Sequence, residues 1–348
     1  TFRAGRIALA EEPAPQAVPV AGKPFPARLT GADENWKLQF SMNGRQRETV
    51  AGKLAFWGRP ADPRSRRMVL LLPDGDRLVG IVERIHGGLI HVDSDVFGSV
   101  RVPRDAVQAV LLKAPVDPLR RDRMAQTLLE LSGKRDQILL RNEDRLPGDL
   151  IGVYRQERVS DEDPITHAAR LETDAGEISV DTTQIAAIRF RDVRSRRAAP
   201  AGARAIVGFR DGSLITASRF VLTKKEITLR PVTATVRRGE TWRTDWVEDL
   251  CFLQPLGGEA AYLSDRKPDA YRQIPFLRLD WPRRDDRNVL GLRLRAGGKL
   301  YPKGLGVHSA AMLSYVLRKP HRRFDAELAV DDAAGGRGSV TFHVIVGK

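Results

Sequence analysis

The stretch MVLLLPDGDRLVGIVERIHGGLIHVDSDVFGSVRVPRDAVQAVLL, Met68 to Leu112, decides the fold class. It reads as an apolar strand, a polar turn at Asp74-Gly75, and a strand from Arg77 to Arg84 in which apolar and polar residues alternate. A second turn at Gly87-Gly88 leads into Leu89-Ile90-His91-Val92; another turn, Ser99 to Val102, Pro103 and a closing apolar strand follow. Period-two alternation gives each strand one face to bury. Asp-Gly and Gly-Gly supply the positive-φ residues that tight hairpins require.

Working outward, the same order recurs from Gln137 to Phe190, with an insertion around Glu157 to His167. A further copy begins at Arg204, turns at Asp211-Gly212 and ends in WVEDLCFLQPL. Strands this short, at this spacing, predict small and strongly bent antiparallel sheets or barrels. Trp36 to Trp57 is expected to give leading strands to the first of these copies. Residues 11–30, rich in proline and without a period, are expected to form a linker or extended arm. One helix interrupts the strands: Asp117 can cap it, Pro118 suits its first turn, and Ser132-Gly133 can end it. Leu119, Met124, Leu128, Leu129 and Leu131 give it an apolar stripe that would dock on a sheet. Arg191 to Arg204 reads as a polar linker. In strand order and turn chemistry the repeat resembles the Sm-like or SH3-like small barrels. Such barrels bind RNA, peptides or other subunits, so shape alone does not choose a function.

Around Glu259 the texture changes. Tyr262-Leu263-Ser264-Asp265, the Trp281 region, KGLGVHS from Lys303 to Ser309, and Leu313 to Leu317 follow in order. Phe324 with alternating Ala326 and Leu328, then Val330-Asp331-Asp332 through Gly335-Gly336-Arg337-Gly338-Ser339-Val340, complete the set. Over residues 259–348 this series resembles the NPCBM family, the "novel putative carbohydrate-binding module" attached to glycoside hydrolases and bacterial surface proteins. The resemblance implies a galactose-binding-like jelly-roll sandwich. Alternation agrees: Leu313, Tyr315 and Leu317, then Phe324, Ala326 and Leu328, then Val340, Phe342, Val344 and Val346 each predict a strand with one buried face. The family pattern runs on past the VTFHV strand whereas this chain stops at Lys348, so the sandwich is expected to be incomplete, with an unpaired edge.

In such folds loop aromatics stack on the C–H faces of sugars and charged side chains bond hydroxyls in pairs. The residues expected to do this are Trp281, Tyr301, Lys303, His308 and Arg337. For Trp281 a place in the core, and for His308 the bonding of its own loop, are the plainer alternatives. Asp285-Asp286 and Asp331-Asp332 offer hard oxygen ligands suited to Ca²⁺. Their spacing is not that of an EF-hand, and solvated turns or ion pairs with Arg283, Arg284 or Arg337 account for them as well. No cofactor is expected beyond a structural calcium at Asp331 and Asp332. His91, Asp93 and Asp95 would share a strand face, but no Cys or further His at zinc-site spacing accompanies them, so a polar strand face is the better account.

Composition narrows the classes. The 348 residues suit several modules, and 42% hydrophobic content excludes wholesale disorder. No run approaches the ~18 apolar residues of a membrane span. The 58 Lys and Arg against 44 Asp and Glu give a net charge of +14, which favours anionic surfaces. The basic residues are scattered, however, and interrupted by acids. The one cysteine, Cys251, lies in an apolar string and reads as a small buried hydrophobe. Ala8-Leu9-Ala10 before Glu-Glu-Pro has the form of a signal-peptidase site, so a secreted, periplasmic or cell-surface location is expected.

No P-loop, GxSxG elbow, HExxH or dinucleotide fingerprint occurs, and no enzyme activity is expected. The expected architecture is mainly β: tandem small antiparallel barrel-like repeats followed by a partial jelly-roll sandwich. Its divisions are a disordered or linker segment 1–34, a first repeat 35–116, a helix with a second repeat 117–193, a third repeat 203–257, and the sandwich segment 259–348. The function that follows is non-catalytic binding of carbohydrate, with the repeats as spacers or as platforms for a protein partner at their sheet edges. The alternative is a nucleic-acid- or protein-binding scaffold. Nucleic acid is disfavoured because the repeats lack the aromatic and basic platform of single-strand binders.

Overall fold

A computed structural model describes residues 15–63, 67–131, 133–155, 167–191, 193, 202–237, 239–275, 280–317 and 321–347. Ala8-Leu9-Ala10, most of the insertion before His167 and most of the linker from Arg191 lie outside the described residues. All strand pairings described are antiparallel, and the protein is mainly β as expected.

In the copy that begins at Met68, one long strand, Arg77–His86, does two jobs. Its first half pairs with Met68–Leu71 (Leu71 opposite Arg77) and its second with Leu89–Ser94 (His86 opposite Leu89). It changes partner after Gly80, where a Cβ would lie 2.6 Å from the Asp93 carbonyl oxygen, so only glycine fits. Gly98–Pro103 pairs with Leu89–Ser94, the 3₁₀ turn Arg104–Ala106 follows, and Ala109–Leu111 returns to Met68–Leu71. The result is a small barrel-like unit. Asp136–Leu140, the long Arg145–Arg155, His167–Thr173, Gly176–Asp181, the 3₁₀ turn Thr182–Gln184 and Ile185–Arg189 repeat it. So do Arg204–Phe209, Leu214–Leu222, Ile227–Pro231, Trp242–Thr244, the turn Val247–Asp249 and Leu250–Leu256.

A fourth copy precedes these three. Gln16–Pro19 pairs with Phe25–Pro26 and Leu54–Gly58, Arg28–Ala32 with Lys37–Met42, and Lys37–Met42 with Arg45–Val50; the 3₁₀ turn Ala51–Lys53 comes before the last strand. Gln16–Pro19, Phe25–Pro26 and Arg28–Ala32 are therefore strands where a linker was expected, and Trp36 to Trp57 completes this copy instead of leading into the next. Pro19 and Pro26 sit at strand ends, where a missing N–H costs the ladder little. Ala17, Ala27, Leu29, Leu38, Phe40 and Trp57 fill the core of this copy, and the Trp57 indole N–H donates to Ala27 O at 2.8 Å.

The four units do not stand apart. Closing strands pair in twos: Ala109–Leu111 with Ile185–Arg189, and Leu54–Gly58 with Leu250–Leu256. The bent strands meet in the same combinations, at Ile85 opposite Val153 and Leu222 opposite Ala32. The two pairs are joined where Leu214 meets Arg77. There the two Asp-Gly turns interlock. Asp76 accepts from the Thr216 N–H and hydroxyl, both at 2.7 Å, Ser213 Oγ accepts from Val79 N at 3.0 Å, and Arg77 Nε donates to Gly212 O at 2.5 Å. Gly212 (φ +98°) lies so close to Pro63 that a Cβ would fall 2.3 Å from its nitrogen.

One apolar core runs through all four units, from Phe40 through Leu78 and Ile188 to Phe220. The helix Pro118–Glu130 forms as expected, with Asp117 Oδ1 accepting from Arg120 N at 2.7 Å. Its Met124, Leu128 and Leu129 pack on Val69, Leu71, Ala109 and Leu111. No described helix is long and apolar enough to cross a membrane.

Beyond Leu256 the chain forms three two-stranded ladders: Ala270–Gln273 with Ala311–Ser314, Arg284–Asp285 with Leu305–Gly306, and Leu294–Ala296 with Lys299–Tyr301. The strands expected around Phe324 to Leu328 and Val340 to Val346 are not formed. Among the described residues after Ser314 the regular element is the 3₁₀ turn Asp332–Ala334, and Phe324, Leu328, Val340, Phe342 and Val344 are exposed. These segments have no strand neighbour to take their backbone hydrogen bonds and no facing sheet to take their side chains.

Candidate functional site

The C-terminal ladders are fixed to the barrels by a buried charge cluster. Arg295 reaches across with a forked grip: Nη1 and Nη2 donate to Asp62 at 2.7 and 2.6 Å, and Nε to Asp122 at 2.8 Å. Arg121 donates to the same Asp62 at 2.9 Å, and Arg293 to the Gly75 carbonyl at 2.9 Å. Burial works against the charge on Asp62, but Arg295, Arg77 and Arg121 outweigh it and hold its pKa below the usual carboxylate range. For Arg295 burial is likewise outweighed, by Asp62 and Asp122, and its pKa is raised. Three residues from three distant parts of the chain make this clasp. Nothing local marks it in the sequence except two arginines alternating with leucines in LRLRA.

On this support, the ladder Arg284–Asp285 with Leu305–Gly306 organises the candidate site. Gly306 crosses so close to the Arg287 carbonyl that a Cβ would lie 2.2 Å from its oxygen, which explains the second glycine of KGLGVHS. Just past one end of the ladder, the rings of Trp281 and His308 stack, centroids 5.2 Å apart and 9° from parallel. The Trp281 backbone is held on both sides: its main-chain N–H donates to Gln273 Oε1 at 2.6 Å, and its main-chain carbonyl accepts from the Tyr271 hydroxyl at 2.6 Å. His308 Nδ1 and Ser309 Oγ lie 3.2 Å apart. Both aromatic residues are half-buried, so the plate they make remains open to solvent. Nearby, Arg283 bonds Asp285 at 2.5 Å and the Tyr315 hydroxyl at 3.0 Å.

At the other end Lys303 forms ion pairs with Asp265 and with Asp286, the latter at 2.8 Å. It lies 6.0 Å from the centre of the Tyr262 ring, a cation–π contact. Burial opposes its charge, yet the two carboxylates prevail and hold its pKa above that of an ordinary lysine. Tyr262, whose hydroxyl donates to Ala55 O at 2.8 Å, is pushed up to about 12 by burial.

The structure thus brings Trp281 and His308 together and places Lys303 on the same ladder. Tyr301 lies on a neighbouring ladder with its hydroxyl bonded to Glu327; burial, then that carboxylate, push it up to about 12. Arg337 projects from an exposed turn, and among the described residues no side-chain contact joins it to the other four. Asp331 and Asp332 act as loop clasps rather than a calcium cradle. Asp331 accepts from Asn288 Nδ2 at 2.8 Å, Ala333 N at 2.9 Å and Arg295 N at 3.0 Å, and Asp332 from Gly297 N and Gly298 N, both at 2.8 Å. Carboxylates ringed by N–H donors are satisfied without a cation, and no group of three or more metal-ligating side chains occurs among the described residues. Sequence reasoning missed Gln273 and Tyr271 as supports of the plate, because hydrogen bonds across eight and ten residues leave no periodic trace.

The arrangement is a flat aromatic pair at one end of a short ladder and a charged triad at the other. Residues 259–348 match the NPCBM/NEW2 domain family. No curated protein and no solved structure matches the chain.

Proposed function

We propose that this protein is a non-catalytic carbohydrate-binding protein whose C-terminal ladders hold the glycan and whose four barrels form the body that presents them. The observation that carries this reading is the Trp281–His308 stack, lying inside the segment that matches the NPCBM/NEW2 family. A flat aromatic plate offers apolar area to the C–H face of a sugar ring at little entropic cost, because its two rings are already stacked on each other and the Trp281 backbone is held by Gln273 and Tyr271. Lys303, Asp265 and Asp286 supply donors and acceptors for hydroxyls. The barrels suit a supporting role since their closing strands are paired with one another, which takes up edges that a protein partner would otherwise use. A glycan ligand fits action outside the cell or at its surface.

Glycan-array screening of the full chain, followed by calorimetric titration of any hit, tests the reading. Trp281→Ala should lower affinity at least ~10-fold, the scale of losing one stacked aromatic anchor, while leaving the far-ultraviolet circular dichroism unchanged. Absence of binding to every galactose-, hexosamine- and uronate-type glycan would count decisively against it.

A further inference from the structure

The outer face of the last barrel carries a row of arginines that the reading above does not use. Arg219 on Leu214–Leu222 stands directly opposite Arg230 on Ile227–Pro231. On the next strand Arg243 stands opposite Thr228, two residues along from Arg230, and so is its diagonal neighbour. Burial alternates cleanly about this row. Phe220, Leu229 and Trp242 point into the core, while Arg219, Arg230, Val221, Thr228 and Arg243 face outward. Arg204, one residue beyond the Ala205–Ala217 pair, flanks the row on a fourth strand.

Like charges placed directly opposite each other on a sheet are destabilising, and little here offsets them. Arg219 has an ion pair with Glu34, but no carboxylate bonds Arg230 or Arg243 among the described residues. The Nε atoms of Arg204, Arg219 and Arg230 are buried without a hydrogen-bond partner. The adjoining turn adds Lys224 and Lys225, exposed, against Glu226. With strands ~4.8 Å apart, the row sets forked donors at regular intervals along a line across the sheet.

We infer that this face binds a linear acidic polysaccharide, its carboxylate or sulfate groups taken by the guanidinium forks of Arg219, Arg230 and Arg243. Guanidinium groups suit such oxyanions because two parallel N–H bonds match their geometry. Between the arginines lie Val221 and Thr228, whose hydroxyl donates to Glu226 Oε1 at 2.8 Å, and none of the outward positions described on these three strands is an aromatic residue on which a base could stack, which favours a polysaccharide over a nucleic acid. This site is separate from the Trp281 plate and stands or falls without it.

The test measures binding of the full chain to heparin and to polygalacturonate, with neutral dextran, poly(dT) and poly(U) as comparison ligands, over a range of salt. The variants are Arg219→Gln/Arg230→Gln/Arg243→Gln and a control, Arg28→Gln/Arg45→Gln. Wild type and the control should bind at least one acidic polysaccharide with affinity that falls as salt rises. The triple variant should lose at least ~10-fold and show a shallower salt dependence, as fewer counterions are released. Should the triple variant fail to fold, Arg230→Gln/Arg243→Gln replaces it, with loss of at least ~3-fold expected. Unchanged binding by the folded variant, equal binding to dextran, or tighter binding to poly(dT) or poly(U) than to either polysaccharide would overturn the inference.

Discussion

The barrels and the C-terminal segment share one sequence pattern and meet opposite fates. Val100 and Val102 on Gly98–Pro103 are buried, and so are Phe220 and Leu222 on Leu214–Leu222. Val340, Phe342, Val344 and Val346 alternate just as regularly, yet Phe342 is 41% and Val346 86% exposed. Alternation states that a strand has a face to bury; it does not provide the neighbouring strand or the opposing sheet. In the barrels each strand finds both within about fifty residues of chain. Among the described residues of the C-terminal segment three short ladders form, and they gain their fixed position from a charge cluster rather than from an apolar core.

That contrast can be broken by mutation. Phe220→Ala, in the last barrel, should have the largest effect, a loss of about 4 kcal/mol through lost burial and a residual cavity. Arg295→Met should cost about 3 kcal/mol by leaving Asp62 and Asp122 buried without their shared partner. Chemical denaturation measures both, and Arg295→Met should also open residues 284–306 to limited proteolysis while the barrels stay resistant. Equal resistance of the two regions in that variant would show that the clasp does not hold the ladders.

The contact between the two barrel pairs adds a pH dependence. Burial raises Asp76 to about 7, the Thr216 donors opposing it, and Asp211 to about 6, Ser213 opposing. Folding therefore favours the protonated carboxyls. Their contribution is fully present below the ordinary carboxylate pKa near 4 and is lost as pH rises through about 6 to 7. Asp76→Asn, which can still accept from Thr216 N and donate to its hydroxyl, should remove on the order of 1–3 kcal/mol of that decline between pH 4 and 8. A slope identical to wild type would contradict the assignment. The smallest effect is expected at Phe342→Ala, below about 0.5 kcal/mol, since little area leaves water there. A loss near that of Phe220→Ala would mean that the segment is packed.

Much of the barrel architecture was legible. The Asp74-Gly75 and Asp211-Gly212 turns, the strand order and the helix capped by Asp117 all follow from local chemistry. The first barrel was not, because its prolines at 19, 24 and 26 mimic a linker, and only the pairing of Ala17 with Trp57 reveals why they are tolerated. Of the candidate site, Trp281, His308 and Lys303 could be named from the KGLGVHS stretch and its surroundings. Their stacking could not, nor could the Arg295 clasp, since both depend on residues brought together from distant parts of the chain. The tail strands were expected from a true periodicity whose partners the described structure does not contain.

Native-state amide hydrogen exchange on the full chain tests the central division most directly. Slow exchange is predicted along 77–86, 204–209 and 250–256, intermediate protection along the ladders between 284 and 306, and fast exchange from 324 to 330 and from 340 to 346. Protection of 340–346 equal to that of 250–256, or ladders exchanging as fast as the tail, would contradict the division of the molecule into a packed four-barrel body and a clasped C-terminal segment.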